Sequence, residues 1–173
     1  MWRRAWLGLG LCLLASASQA PPSVVFVLLD DVGWADLSYT RLQHVDDGAS
    51  ADIPTPHIDA LAQSGVRFSR YYVHPTCTPS RAALMTGMYG ANTGLALATM
   101  PAAVVGLPPR QPTLSQVLAL HGVRCHMVGK WHLGNAKWSQ TPAGRGFETF
   151  TGALLSQFDH YTKQLCVAHP LPS

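Results

Sequence analysis

Residues 23–31 read SVVFVLLDD: an unbroken apolar run from Val24 to Leu29, then Asp30 and Asp31. A continuous run of this length, with no polar alternation, predicts a strand buried on both faces, as in a parallel sheet. Open α/β sheets bind their ligands beyond the carboxyl ends of such strands. The two aspartates therefore stand where a site would be built. By itself an Asp-Asp pair at a strand exit is an ordinary turn, so its meaning depends on what else reaches that edge.

Outward from this run, residues 33–52 (GWADLSYTRLQHVDDGASAD) read as loop. Residues 55–65 (TPHIDALAQSG) then carry helix signals: a capping Thr55, Pro56 at the first turn, an apolar stripe of Ile58, Leu61 and Ala62, and Gly65 as a stop. VRFSRYYV, at 66–73, predicts a strand. SRAALMTG, at 80–87, predicts a short helix closed by Gly87, and the Gly- and Pro-dotted stretch 88–112 reads as loop. TLSQVLALHG, at 113–122, repeats the pattern of capping threonine, apolar stripe and terminal glycine. VRCHMV, at 123–128, is the next strand and runs into GKWHLG, at 129–134; residues 141–161 show no clear period. Strand, helix, strand, helix, strand argues for an α/β architecture with a central, mostly parallel sheet flanked by helices. It also brings three loaded segments to one sheet edge: Asp30 and Asp31, Cys77 ahead of its helix, and Lys130 with His132. Those residue types alone indicate an anion or metal site.

The chain has 173 residues, 47% hydrophobic and 12% charged, with a formal net charge of +3. Disorder is excluded on composition, and one modest domain is within reach. Lys and Arg are scattered, so no nucleic-acid partner is indicated. Residues 1–20 (MWRRAWLGLGLCLLASASQA) carry two arginines, an apolar stretch from Ala5 to Ala15 and then small residues, which is the pattern of a signal peptide cleaved after Ala17 or Ala20. That stretch is short for a bilayer, and no stable membrane insertion is expected. Cys12 leaves with the signal; Cys77, Cys125 and Cys166 remain. An odd number leaves at least one thiol unpaired within an exported chain. Cys77 is the candidate, and spacing does not say whether Cys125 and Cys166 pair.

CTPSRAALMTG, at 77–87, resembles the sulfatase signature, and GKWHLG resembles the second signature of the same family. LLDDVGWADL and TPHIDALAQSGVRFSRYYVHPTC match it in order and spacing, so that the resemblance runs from Val24 to about Tyr161. It is nearest the arylsulfatase B group, which removes the 4-sulfate from N-acetylgalactosamine units. The resemblance implies a partial alkaline-phosphatase-like domain over 21–173, the N-terminal part of a longer catalytic domain. It further implies oxidation of Cys77 to 3-oxoalanine (Cα-formylglycine) by the formylglycine-generating enzyme, which reads Pro79 and Arg81. In the family the hydrated aldehyde attacks the sulfate sulfur, and its second hydroxyl then helps expel sulfate. Asp30, Asp31 and the residue made from Cys77 are implied Ca2+ ligands. Arg81 is implied to fix the formylglycine hydroxyl, Lys130 to bind sulfate, and His132 to assist breakdown of the sulfated intermediate. Substrates would be sulfated carbohydrates or aryl sulfates, and the location lysosomal or extracellular, in glycosaminoglycan degradation.

The resemblance is also incomplete. The family completes its calcium shell with a later Asp-Asn pair, and places a later histidine and lysine around the sulfate. FDHY, at 158–161, lacks that context, and Met88 stands where relatives often carry arginine. The expectation is therefore a shortened, inactive portion of a sulfate-ester hydrolase. The alternative is a non-catalytic product acting as a binding module. A phosphatase of the same superfamily is disfavoured by Cys77, because those enzymes use Ser or Thr with zinc. Trp34, Trp131 and Trp138 suit either a sugar pocket or packing around the site.

Overall fold

The only sheet among the described residues is a two-stranded parallel pair, β1 (His126–Lys130) and β2 (Thr149–Ala153). The computed structural model describes residues 22–44, 53–100, 103–156, 159, 161 and 162. The proposed signal segment and Cys166 lie outside them. Among the described residues five α-helices accompany the sheet: α1 (Ser38–His44), α2 (Pro56–Ser64), α3 (Cys77–Thr86), α4 (Gly90–Thr93) and α5 (Leu114–Leu120). Helix and parallel strand together make the α/β class expected from the sequence.

The helix signals translate with one exception: Thr55 precedes α2 but makes no side-chain capping bond, its hydroxyl accepting the Ser38 N–H at 3.0 Å instead. Pro56 opens α2, Gly87 takes φ 68° and closes α3 by donating its N–H to the Ala83 carbonyl at 2.8 Å, and Thr113 caps α5 in a reciprocal box with Gln116. A left-handed closing residue carries no Cβ penalty when it is glycine. The capping threonine of α5 has a second role. Its hydroxyl, fully buried, also reaches the Arg145 carbonyl at 2.8 Å.

The strand expectations fare differently. Residues 24–29 and 66–73 are not strands; a turn interrupts the second at Ser69 and Arg70. Val25 is 88% exposed and Tyr72 85%. No described strand runs beside either segment to complete a ladder, so high β-propensity finds no partner. Expected at 123–128, β1 instead covers His126–Lys130. Three of these elements, α1, the four-residue α4 and β2, were hidden in stretches that read as loop or without period. α1 lacks a strong apolar stripe and is pinned by polar contacts: Ser38 Oγ donates to Asp59 at 2.8 Å, and Ser38 N–H donates to Thr55 Oγ1 at 3.0 Å. β2 is five residues long and exists through its pairing with β1. At the Gly129–Gly152 register a Cβ on Gly152 would lie 1.9 Å from the Gly129 carbonyl oxygen, so only glycine lets the strands approach.

The core is small: Ala82 from α3, Leu95, Leu107, Trp131 and Leu133. Trp131 donates its indole N–H to the Gln140 carbonyl at 2.7 Å and meets Phe147 edge to face. It is therefore packing beneath the site. Trp34 and Trp138 are 51% and 73% exposed. Placing Trp131 and Leu133 in this core fixes the segment that carries Lys130 and His132.

Candidate active site

Beyond the carboxyl end of β1 lies a cavity of about 300 Å3 lined by Asp30, Asp31, Cys77, Thr99, Lys130 and His132, with Ala98, Met100 and Ser156 at its margin. Five of the six residues singled out in the sequence thus share one wall. The sixth, Arg81, sits behind it.

Cys77 is the first residue of α3, where the helix's free N–H groups and dipole favour negative charge. Its Sγ is 3.1 Å from His132 Nδ1. The other ring nitrogen, Nε2, lies 2.9 Å from the Thr99 carbonyl oxygen. A carbonyl can only accept, so Nε2 carries the proton and Nδ1 presents its lone pair to Cys77. Burial holds the His132 pKa below its ordinary value, and the nearby Lys130 and Arg81 charges push the same way; the Thr99 carbonyl and the Asp30 charge oppose them. The imidazole is accordingly neutral near pH 7.

Asp30 is gripped from two sides. Lys130 Nζ is 2.7 Å from Oδ2 and Arg81 Nη2 is 3.1 Å from Oδ1. Partial burial works to raise its pKa, but the hydrogen bonds and charges of Lys130 and Arg81 outweigh it and hold the carboxyl below the usual carboxylate range. Arg81 is buried and donates from its other amino group to the Lys130 backbone carbonyl. It ties the Asp30 loop to the end of β1 from behind.

Asp31 and His132 share a further property. Both adopt left-handed backbone, φ 56° and 59°, and they are the only non-glycine residues to do so among those described. Strained backbone of this kind is uncommon outside glycine and concentrates at functional positions. Among the described residues no group of three or more His, Cys, Asp or Glu side chains converges as a metal cluster. Sequence reasoning missed Thr99 and Ser156, which sit in stretches without motif or period.

These residues fall within a match to the family Sulfatase over residues 22–169. The chain belongs to the sulfatase family. The sulfatase chain is 41% identical to mouse arylsulfatase J over 152 residues, covering 87% of this chain and 24% of that protein. It is 36% identical to mouse arylsulfatase G over 141 residues, covering 80% of this chain and 25% of that one. Among solved structures it superimposes on Ps i-CgsB with a TM-score of 0.66 at 38% identity, over 75% of this chain and 27% of the other. The chain thus spans about a quarter of the length of the relatives it matches. Its fold is the α/β fold of the alkaline-phosphatase superfamily, present as a partial domain.

Proposed function

We propose that this site serves hydrolysis of sulfate esters of the arylsulfatase or N-acetylgalactosamine 4-sulfate type, in an exported chain acting in the lysosome or outside the cell. The observation that carries the reading is the placement of Cys77 opposite His132 and Lys130, in one cavity with Asp30 and Asp31. The relatives' names support the ester class.

Asp30 and Asp31 fit a hard divalent cation in kind, since Ca2+ takes carboxylate oxygens, although two carboxylates fall short of its usual six to eight ligands. Charge argues the same way. Two carboxylates, Asp30 and Asp31, stand in the same site as Lys130 and the Arg81 behind it, a formal balance near zero, which is poor for an anionic substrate. When bound, Ca2+ would tip that balance and polarise the ester. A formylglycine at position 77 would supply a hydrated aldehyde as the nucleophile. Lys130 would neutralise the sulfate oxygens. His132 Nδ1 is positioned to take a proton from residue 77, while Arg81 holds Asp30 in place.

Mass spectrometry of the peptide containing residue 77, from cells that export the chain and carry the modifying enzyme, should find the aldehyde. In a longer parent protein Cys77→Ser should abolish aryl sulfate turnover, because serine cannot form it by thiol oxidation. Thiol alone at 77, with the machinery shown active on another sulfatase, would overturn the reading. A second reading, a non-catalytic binding module, is favoured by the exposed apolar run at 24–29. It predicts a partner that covers the 24–29 run and protects it from exchange; absence of aryl sulfate turnover by this chain alone is expected on either reading.

A further inference from the structure

We propose that Thr78 is a positioning residue that fixes the tautomer of His132. Thr78 is fully buried, in the first turn of α3 beside Cys77. Its hydroxyl oxygen accepts the Thr99 backbone N–H at 3.1 Å and lies 3.4 Å from the Thr99 hydroxyl. The carbonyl of that same Thr99 accepts from His132 Nε2 at 2.9 Å, and His132 Nδ1 returns to Cys77 at 3.1 Å. The contacts close a ring: Cys77, its neighbour Thr78, Thr99, His132 and back to Cys77.

Each link has a physical consequence. Thr99 sits in an irregular segment between α4 and α5, with no helix or strand to hold its peptide planes. The Thr78 hydroxyl is the buried acceptor that anchors its N–H. With the residue held at its N–H, its carbonyl stays aimed at Nε2. A fixed acceptor at Nε2 selects the Nε2–H form and leaves the Nδ1 lone pair toward residue 77. A free imidazole would exchange between two tautomers, and only this one can receive a proton on the Cys77 side. The catalytic meaning rests on the function proposed above, whereas the tautomer itself does not.

The test is nitrogen NMR on the full 173-residue chain labelled at histidine, with the His132 signals assigned by their loss in His132→Gln. Long-range proton–nitrogen correlations distinguish the two tautomers without any turnover. The wild-type chain should show His132 as the Nε2–H form. Thr78→Val, which keeps the shape and removes the hydroxyl, should shift the tautomer ratio roughly fivefold toward Nδ1–H, the factor one neutral hydrogen bond is worth. Thr78→Ser should restore the wild-type ratio. An averaged imidazole in the wild-type chain would overturn the proposal, as would an unchanged ratio in Thr78→Val. So would a Val variant that loses amide protection across β1 and β2, since Thr78 would then be a general packing residue. Failure of the sulfatase reading leaves these outcomes intact, because none depends on an aldehyde or on cleavage.

Discussion

Replacing Asp30 by asparagine should destabilise the folded chain by about 2 kcal/mol at neutral pH. The figure lies between two limits. Exposed ion pairs contribute roughly 0–1 kcal/mol, whereas removing one partner of a buried pair costs about 3–5 kcal/mol. The Asp30 side chain is 40% exposed, but Arg81 is only 10% and Lys130 17% exposed. A neutral amide at this position would leave both cations without their carboxylate, and Arg81 has little access to water in compensation. In urea, with a slope of about 2 kcal/mol per molar, the midpoint should fall by about 1 M. A chelator in every buffer removes any contribution from bound cations. The acid arm of the experiment has a definite sign. The folded-state pKa of Asp30 is lowered, so its contribution is complete above the ordinary carboxylate range and is lost as pH falls through the lower folded value. The gap between wild type and Asp30→Asn should hold steady from neutral pH to that range and close below it. Combining Asp30→Asn with Lys130→Met should cost less than the sum of the two single changes, because the second removes a charge the first has already stranded. An unchanged midpoint at neutral pH would show that the two contacts contribute nothing to the fold, and strict additivity would remove the Asp30–Lys130 coupling. A gap that persisted in acid would assign the effect to packing.

Two further predictions concern the frame around the site. Thr113→Val should cost about 1–2 kcal/mol and speed amide exchange at Gln116, because it removes the α5 cap; the Arg145 carbonyl keeps Ser115 Oγ at 2.5 Å, which limits the loss. Cys125 should alkylate more slowly than a cysteine in an unstructured peptide at mildly alkaline pH, since burial and then the Glu148 charge push its thiol pKa up. Glu148→Gln should raise that rate, and equal rates in the two proteins would remove Glu148 as a cause. The stability linked to that thiol is present below its ordinary range and declines as pH rises through the folded value.

What could be read from the sequence was whatever has a local cause. Pro56, Gly87 and the Thr113–Gln116 pair act within a turn of themselves, and the boundaries they mark are where they were expected, whereas α3 begins at Cys77, three residues ahead of the expected Ser80. The site residues were legible because Cys77, Arg81, Lys130 and His132 occupy two short motifs. Elements with non-local causes were not. α1 depends on Thr55 and Asp59, which lie 17 and 21 residues beyond Ser38. β2 depends on its register with β1, and Gly152 matters only because Gly129 faces it. The apolar run at 24–29 failed for the converse reason. Propensity predicts what a segment would do with neighbours and is silent on whether neighbours are there.

Arg81 lies four residues after Cys77, one helical turn on. Its guanidinium joins Asp30 and the Lys130 backbone, drawing together the exit of the first apolar run and the end of β1. Asp31 follows immediately in left-handed backbone, and His132 does the same two residues after Lys130. Both strained residues thus lie within two positions of a point that Arg81 holds. Left-handed conformations cost about 1–3 kcal/mol each at such residues and persist only where the surroundings fix them. A buried arginine whose planar fork spans both segments is a group able to do so. The motif arginine thus ties together the two segments from which Asp31 and His132 line one cavity.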